Sequence, residues 1–378
     1  MELTIGKRDF VRSLARTHSV ADRKSSMPIL STILLSSEDK KTLRFAATDL
    51  YLSVTSSCSA EITRSGVTAL PAKTLFDIAK NLPEGDVTLK ALDNHAVEIR
   101  SGRVRFKIPA MPGQDFPTLP SASGLELIEL AAEELGRLIA LTHYSMSSDE
   151  TRPHLSGALL EGDGKIVRMV TTDGHRLSKA EYRQREGGKM LNFQMLVPQK
   201  GIGELRRLID EARTGASKGE EGGATLGIAH AAGNAFFRHE DVLLSVKLAD
   251  EQFPPYGKVI PKSASRRVVL GRQPLLDALK RISLVANDKS GAARFGVEPG
   301  IVRITSENPD VGEGSEELDV DYAGEGVEIG FNVRYLLDAL SSITEDEVAL
   351  ELGGALDPGV VKPVGPTDFI GVIMPMRI

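Results

Sequence analysis

The sequence contains almost no cysteine and no tryptophan. Cys58 is the single cysteine among 378 residues, which excludes a disulfide framework and a zinc site built on paired thiolates. This usage is typical of a reducing compartment, so we expect a cytoplasmic protein. Aromatic residues amount to 5%, too few to predict the stacking platforms that bind single-stranded nucleic acid.

Long apolar segments and catalytic signatures are also missing. No stretch reaches 18 apolar residues, and the N-terminal residues lack the apolar run of a signal peptide. The nucleotide-binding pattern GxxxxGKS/T and the zinc-protease pattern HExxH are absent. His175 and Asp173 could suggest acid–base catalysis, but no Ser or Cys nucleophile signature accompanies them. We expect neither an enzyme nor a cofactor, and an enzyme with repeated α/β domains is the most distant alternative.

Three stretches of the chain share one plan: residues 4–54, 129–180 and 268–318. Each reads as a short strand, an amphipathic helix, a polar turn and further strands. They close on the pairs Thr48-Asp49, Thr172-Asp173 and Ser306-Glu307, which are 124 and 134 residues apart. This spacing indicates three related domains.

A second helical segment follows in each case, starting at Pro71, Pro198 and Phe331. The sequence therefore predicts an α+β fold of three similar domains, each built from two helix-plus-strands units. Stretches of small residues separate them, which gives predicted domains at residues 1–125, 126–261 and 262–378.

Basic residues recur along the faces of the predicted helices. In the first helix Arg8, Arg12 and Arg16 are spaced by four residues, beside an apolar stripe. Other helices add further basic residues: Lys73, Lys80, Lys200, Arg206, Arg207, Lys280 and Arg281.

The overall charge of the chain hides an uneven distribution. Acidic residues outnumber basic ones, 52 to 46, and the formal charge of −6 alone argues against nucleic-acid binding. The six helical segments nevertheless carry +6, which leaves −12 on the remainder. Positive charge confined to helices suits a phosphate-facing surface, and the alternative is a set of ordinary solvated helix faces.

Three motifs and the threefold repeat carry a resemblance to a known family. Residues 171–177 read TTDGHRL, residues 330–340 read GFNVRYLLDAL, and residues 371–378 read GVIMPMRI. Over essentially its whole length the chain resembles the bacterial sliding clamp family, the β subunit of DNA polymerase III. The resemblance implies a non-enzymatic ring of two subunits joined head to tail, with six similar domains, helices inside and sheets outside.

The resemblance also implies what the ring would do. Duplex DNA would pass through it without sequence preference, and tethered proteins would gain processivity through the topological link. The implied partners are double-stranded DNA, a second copy of the chain, the DNA polymerase III catalytic subunit, the clamp loader, and other polymerases, ligase and mismatch-repair proteins with clamp-binding peptides. A DNA-independent adaptor that displays the same peptide pocket is the alternative.

Simple geometry agrees with a ring of two subunits. A domain of about 120 residues has a diameter of roughly 27–35 Å, and six equal spheres in a ring leave a hole of about that width. Three or four spheres leave holes of at most about 14 Å. Since the major groove of DNA alone is about 12 Å wide, only the six-domain ring admits a duplex.

A head-to-tail ring needs two different, complementary edges on each subunit. Residues 100–108 are rich in basic side chains, whereas residues 307–321 contain seven acidic residues and no basic one. We predict that these edges dock, with apolar contacts implied by the resemblance. The predicted interface residues are Arg103, Arg105, Phe106, Ile108, Leu284, Val285, Glu313, Glu316 and Glu317. Alternatively, the acidic run is a solubilising edge strand that prevents aggregation.

The resemblance further implies a pocket for partner peptides between the second and third domains. Its residues here are Leu155, Thr172, Gly174, His175, Arg176, Leu177, Pro254, Val259, Leu356, Pro358, Val372, Ile373, Met374, Pro375, Met376 and Arg377. Methionine and branched aliphatic side chains make such a surface adaptable to several peptides. Lys24 matches a DNA-facing position of the family, and its neighbour Arg23 is predicted to share that role.

Overall fold

The structure, a computed structural model, describes residues 1–37, 39–184, 187–215, 223–287 and 290–377. Ile378, which ends the third motif, lies outside these residues. In the described part of the chain six α-helices form at the places that the sequence predicts. They are α1 Lys7–Thr17, α2 Ala72–Asn81, α3 Ala132–Thr142, α4 Gln199–Gly215, α5 Arg272–Ile282 and α6 Val333–Ser342.

Strands make up most of the remaining regular structure. The first third contains β1 Glu2–Gly6, β2 Thr32–Ser37, β3 Thr42–Thr48, β4 Leu52–Ser59, β5 Glu61–Arg64, β6 Gly66–Pro71, β7 Asp86–Leu92, β8 Ala96–Ser101, β9 Val104–Pro109 and β10 Met111–Pro112. The middle third contains β11 Ile128–Ala131, β12 Gly157–Gly164, β13 Ile166–Thr172, β14 Arg176–Arg183, β15 Leu191–Pro198, β16 Thr225–Ala231, β17 Asn234–His239 and β18 Val242–Lys247. The last third contains β19 Arg266–Gly271, β20 Ala292–Glu298, β21 Ile301–Asn308, β22 Gly312–Asp319, β23 Val327–Asn332, β24 Glu347–Leu352, β25 Gly359–Pro363 and β26 Phe369–Ile373.

The described residues divide into two compact units. The N-terminal unit is built from Met1–Ala132 and Arg207–Leu248, and the C-terminal unit from Glu133–Arg206 and Ala249–Ile378. Each unit draws on more than one predicted domain, because hydrogen-bonded ladders cross the predicted boundaries: β4 pairs with β18, and β14 pairs with β26. The three-domain boundaries themselves stay a prediction.

The N-terminal unit contains two antiparallel sheets. One has the order β5-β1-β7-β8-β9, and the other has the order β10-β6-β2-β3-β4-β18-β17-β16-β11. The predicted apolar stripe of α1 is its buried face, where Phe10 and Leu14 are fully covered. Phe10 packs against Phe45 of β3 with ring centroids 6.1 Å apart. The helix therefore buries its apolar stripe against the sheet and exposes Arg8 and Arg12 on another face.

The C-terminal unit also contains two antiparallel sheets. Their orders are β15-β12-β13-β14-β26-β25-β24-β19 and β22-β21-β20-β23. Phe295 of β20 and Phe331 of β23 pack edge to face with centroids 5.6 Å apart. Leu336 and Leu340 are the buried side of α6. No helix within the described ranges is long and apolar enough to cross a membrane.

The repeated turn after the third strand departs from the prediction in one of its three copies. Thr48 and Thr172 end β3 and β13, as the repeat predicts. In the third copy the prediction of a closing pair at Ser306-Glu307 is wrong, because β21 continues to Asn308. The turn follows there, with the Val311 N–H donating to the Asn308 carbonyl oxygen at 3.1 Å.

Candidate functional site

The TDGHRL motif forms a tight turn between β13 and β14. Thr172 Oγ1 donates to the Arg176 carbonyl oxygen at 2.6 Å and accepts the Gly174 N–H at 3.1 Å. Asp173 Oδ1 accepts the N–H groups of His175 and Arg176 at 2.9 and 3.0 Å. Gly174 has a φ of 92°, a left-handed conformation that glycine adopts without steric cost. The turn thus fixes its own backbone and leaves the His175 side chain exposed.

Arg176 is held by its own chain. Its Nε donates to Asp173 Oδ2 at 3.0 Å and its Nη1 to Asp338 Oδ2 at 2.5 Å. Nη2 donates to the Tyr144 carbonyl oxygen at 2.6 Å, and the guanidinium carbon lies 4.6 Å from the centroid of the Tyr335 ring. The side chain is only 12% exposed. The predicted contact of Arg176 with a partner peptide is therefore corrected to a supporting role, in which it ties the turn to α6.

Sequence reasoning gave no role to the two α6 residues in this network. Tyr335 and Asp338 lie three positions apart and so share one face of the helix. The Tyr335 ring stacks on His175, with centroids 6.5 Å apart and planes at 18°. Their spacing was visible in GFNVRYLLDAL, but a spacing alone does not reveal the partner that a helix face meets.

The C-terminal strand completes the site beside this turn. In the β14–β26 ladder Leu177 lies opposite Val372, and one step beyond the ladder the Met374 N–H donates to the His175 carbonyl oxygen at 2.9 Å. Val372 and Leu177 belong to one apolar cluster. Since successive strand residues point to opposite faces, Ile373 faces away from that cluster and is buried. The pocket role of Ile373 therefore stays a prediction that the apolar cluster does not support.

The apolar cluster forms a floor beneath two segments: the turn of Thr172–Arg176, and the C-terminal tail that begins at Met374 after β26. Its buried members are Leu159, Val170, Leu177, Val360 and Val372, and Phe253, Tyr256, Ile260 and Ile370 pack against it. The floor therefore consists of strand residues from β12, β13, β14, β25 and β26, partly covered by the segment that follows β18.

Exposed apolar side chains surround this floor. Leu356 is 64% exposed, and Val259 and Met374 are exposed to 40% and 37%. Leu356 and Pro358 lead into β25, whose first residue Gly359 lies opposite Ile373. Of the remaining predicted pocket residues, the structure leaves Arg377 exposed, half-buries Pro254, Pro375 and Met376, and buries Leu155 and Thr172.

A polar network anchors the covering segment beside the floor. The Tyr256 hydroxyl donates to Glu161 Oε2 at 2.7 Å, and Arg168 Nε donates to Glu181 Oε2 at 2.7 Å. Burial and the hydrogen bond to Glu161 raise the pKa of Tyr256 to about 12. Burial opposes ionisation of Glu181, but Arg168 and Lys179 outweigh it and lower the pKa of that carboxyl. Tyr256 therefore remains a neutral donor at physiological pH.

The structure overturns one of the predicted DNA-facing positions. Arg16 Nε donates to Glu211 Oε1 at 2.6 Å, and Nη1 donates to Asp241 Oδ1 at 3.0 Å. Its side chain is only 6% exposed. The prediction that Arg16 faces DNA is wrong, because carboxylates of α4 and of the turn before β18 enclose its charge. Arg12, one turn earlier, remains exposed although Glu240 lies 3.1 Å from its Nη2.

The other basic positions have exposed side chains: Arg8, Arg12, Arg23, Lys24, Lys73, Lys80, Lys200, Arg206, Arg207, Lys280 and Arg281. Some of these side chains, Arg12 among them, lie beside carboxylates. Arg281 donates to both oxygens of Glu316, at 2.9 and 2.5 Å, and Lys280 Nζ lies 3.6 Å from Asp277 Oδ1. Counting charge helix by helix therefore overstates the positive charge that these faces display.

Strand β9 is an open edge of its sheet and carries positive charge. Arg103, Arg105, Phe106 and Lys107 are exposed. Arg105 already donates to the nearly buried Glu98, and a hydrogen bond from Arg100 lowers the pKa of that carboxyl. The side chain of Ile108 is buried within the unit, and its interface role stays a prediction.

Strand β22 is an open edge of a different sheet and carries negative charge. Glu313, Glu317 and Asp319 are exposed, whereas Glu316 is half-buried against Arg281. Leu284 is exposed just beyond α5, and Val285 is half-buried against Gly314 of β22.

Metal chemistry finds no support in the described ranges, where no group of three or more His, Cys, Asp or Glu residues could hold a metal ion. The turn, floor and tail instead bring exposed apolar side chains together on one surface, and several helices display basic side chains. Repeated helix-and-sheet units with these two surfaces define the class of DNA clamps.

Comparisons with known proteins identify the family. Models of the DNA polymerase III beta subunit match the N-terminal domain at residues 1–120, the central domain at 129–255 and the C-terminal domain at 257–377. The chain is 36% identical to the beta sliding clamp of Caulobacter vibrioides over 385 residues, covering 100% of both proteins. The crystal structure of the DNA polymerase III subunit beta from Pseudomonas aeruginosa matches with a TM-score of 0.92 and 32% identity, covering 100% of both chains.

A griselimycin-bound sliding clamp from Pseudomonas aeruginosa matches with a TM-score of 0.91 and 32% identity over the full length of both chains. The chain belongs to the family of the DNA polymerase III β subunit, the bacterial β sliding clamps. Its function is that of a DNA sliding clamp, a processivity factor and not an enzyme.

Proposed function

We propose that two copies of the chain close head to tail, β9 of one against β22 of the other, into a ring of six similar domains around duplex DNA. The opposite charges of these two open edges carry the proposal. Exposed strand edges can pair with the edge of another chain. Here two basic edges repel each other, as do two acidic edges, whereas a basic edge attracts an acidic one. Phe106 and Leu284 supply exposed apolar surface beside the two edges.

Duplex DNA is held by the exposed basic side chains of the helices and of the loop with Arg23 and Lys24. Phosphate contacts from lysine and arginine carry no sequence information, so they permit sliding. The ring stays on DNA because it is closed, while each individual contact is weak and exchangeable. Opening the ring requires the clamp loader, and the complex acts in the cytoplasm.

Loading onto nicked circular DNA tests the ring. After assembly with the clamp loader and ATP, the clamp is expected to remain with the circle through gel filtration in high salt, and to be released when one cut linearises the DNA. An adaptor that binds DNA without encircling it would show the same retention on circular and linear DNA, and that result would contradict the proposal.

The pocket around His175, Leu177 and Met374 binds the clamp-binding peptides of the polymerase III catalytic subunit, the clamp loader, other polymerases, ligase and mismatch-repair proteins. Its buried apolar floor and exposed methionine and leucine rim suit short hydrophobic peptides of varied sequence. Deleting residues 374–378 is expected to abolish binding of a fluorescent clamp-binding peptide while sedimentation still shows an intact dimer. Retained peptide affinity would remove the pocket from this assignment.

A further inference from the structure

The turn that ends the third strand is built twice from the same hydrogen bonds. In Thr48–Leu52, Thr48 Oγ1 donates to the Leu52 carbonyl oxygen at 2.7 Å, as Thr172 Oγ1 does to Arg176 in the pocket turn. Asp49 Oδ1 accepts the next two N–H groups at 2.9 and 2.6 Å, as Asp173 does. Position by position, Leu50 therefore corresponds to Gly174, and Tyr51 corresponds to His175.

The neighbours of the two turns correspond as well. The Lys247 N–H donates to the Tyr51 carbonyl oxygen at 2.8 Å, which is the bond that Met374 makes to His175. On the other side, the N–H of Leu30 donates to the Met27 carbonyl oxygen at 3.1 Å, and the same bond links Leu155 to Arg152. Since Arg152 Nη1 reaches the carbonyl oxygen of Asp173, we expect Met27 on the same side of the turn with Leu50.

In the N-terminal copy these positions expose apolar side chains. Met27, Leu50 and Tyr51 are exposed to 45%, 52% and 67%. Leu50 has a φ of 76°, a left-handed conformation that is strained for a residue with a Cβ atom. The pocket turn avoids that strain with Gly174. Folding alone therefore gives no reason for leucine at position 50, and its exposed side chain points to a contact with another molecule.

The residues beneath this surface differ from those that form the floor of the pocket. Where Leu177 lies opposite Val372 in the pocket, Ser53 lies opposite Ser245 here, and both serines are buried. The rest of the floor has an apolar counterpart, because Leu34 and Ala46, which match Leu159 and Val170, belong to a cluster with Ile29 and Leu30. The apolar floor is therefore smaller here than in the pocket and suits a shallower contact. Its flanks are basic: the Lys247 Nζ lies 5.6 Å from the Tyr51 ring centroid, and Arg23 and Lys24 are exposed just before Met27.

We propose that Met27, Leu50 and Tyr51, with Lys247, form a second docking surface for a tethered protein. Its occupant is an extended acidic segment with aliphatic side chains, carried by the same polymerase subunit whose peptide occupies the pocket. Phosphate gains nothing from three apolar side chains, which favours a protein segment over DNA. The inference rests on the proposed function of the pocket, because a tethered segment binds at a high effective concentration and needs only a shallow contact.

Leu50→Gly and Lys247→Glu test the surface on the full-length dimer. The two probes are the intact DNA polymerase III catalytic subunit and its isolated clamp-binding peptide, each measured by biolayer interferometry. Each variant is expected to weaken binding of the intact subunit about fivefold to tenfold, the range for truncating a peripheral contact, and to leave peptide affinity unchanged. Leu50→Gly is also expected to keep or raise the melting temperature, since it relieves strain.

Two control variants make comparable changes at exposed positions outside the proposed surface. Val67→Thr changes another exposed apolar residue of the same unit, and Lys41→Glu makes the same charge reversal at another exposed lysine. Neither is expected to alter either probe. If the intact subunit binds the Leu50 and Lys247 variants as tightly as the wild type, the second surface is refuted and the pocket stands.

Three other outcomes also decide the matter. Equal weakening of both probes would mean that the changes disturb the pocket, which overturns the proposal. Faster loss of the clamp from DNA with unchanged binding of the subunit would assign the patch to DNA instead. Failure of the wild-type dimer to bind the isolated peptide would overturn the proposed pocket itself, and the second surface with it.

Discussion

Carboxylates surround the Arg16 guanidinium on several sides. Glu211 and Asp241 bind it directly, and Glu240 Oε2 lies 3.9 Å from Nη2. Asp241 also accepts hydrogen bonds from Ser56 and from the backbone of Ser57 at 3.0 Å each. Burial by itself raises the pKa of Asp241, but the Arg16 charge and these hydrogen bonds outweigh it and lower that pKa. The cluster therefore joins α1 to α4 and to the turn before β18.

Asp241→Asn is expected to destabilise the protein by roughly 1–3 kcal/mol at pH 7, because the substitution removes hydrogen bonds to a charged group. A folded-state pKa below the unfolded value stabilises the fold above the unfolded pKa of about 3.9, and this stabilisation disappears as pH falls further. The difference between variant and wild type is therefore expected to shrink below about pH 4. Urea denaturation across pH measures it, and a pH-independent difference would exclude the charged pair as its source.

His175 and Arg176 are neighbours with separable roles. His175→Ala is expected to reduce affinity for the clamp-binding peptide about threefold to tenfold, with a change in stability below about 0.5 kcal/mol, because the side chain is exposed. Arg176→Met is expected to cost about 2–4 kcal/mol, since it leaves Asp338 and the Tyr144 carbonyl oxygen without their donor. Peptide titration and thermal denaturation of both variants check this. Equal losses of stability in the two variants would contradict the assignment of peptide binding to His175 and of a structural role to Arg176.

At the scale of elements, the two open edges decide assembly. Arg103 directly precedes β9, which carries Arg105 and Lys107, and an in-chain ion pair occupies Arg105. On β22, Glu317 accepts from Arg303 at 2.7 Å and Glu316 is bound by Arg281. Arg103, Lys107, Glu313 and Asp319 make no ion pair within the described residues, so they are the charges most available to a second copy.

Reversing Arg103 and Lys107 to Glu is expected to weaken dimerisation by about tenfold or more, because like charges then face each other across the two edges. Adding Glu313→Lys and Asp319→Lys is expected to restore the dimer. Analytical ultracentrifugation at low and high salt measures both steps. If the variant with Arg103→Glu and Lys107→Glu dimerises as strongly as the wild type, the acidic strand is instead a solubilising edge.

At the scale of the whole molecule, retention on DNA and affinity for DNA become separate properties. A closed ring is retained by topology, whereas its phosphate contacts set how strongly it binds open duplex. Neutralising a basic side chain is therefore expected to change the affinity for open duplex without changing retention on closed circles.

Lys73→Gln with Lys80→Gln is expected to weaken the salt dependence of binding to linear duplex. The negative slope of log affinity against log salt becomes shallower by about 0.9 for each phosphate that is no longer neutralised. Retention on circular DNA is expected to stay unchanged. Lys40→Gln with Lys41→Gln, at exposed positions in the turn before β3, is the matched control. Reduced retention on circles without a change in slope would place these lysines in ring closure.

The sequence alone determined the repeats, the positions of the six helices and the pocket motifs. Helix periodicity and turn residues are local properties, so α1 and the turn of Thr172–Arg176 formed where the pattern predicted. The resemblance predicted a pocket at TDGHRL and the C-terminal tail because both are continuous motifs, and folding brings the two side by side.

Tertiary structure decided which of those side chains remain available. Arg16 shares its four-residue spacing with Arg8 and Arg12, yet carboxylates more than 190 positions away in the chain enclose it. Ile373 and Val372 are adjacent and similar, but the pleat sends them to opposite faces. No local pattern encodes these outcomes, because the burial and charge of a side chain are set by residues that only folding brings beside it.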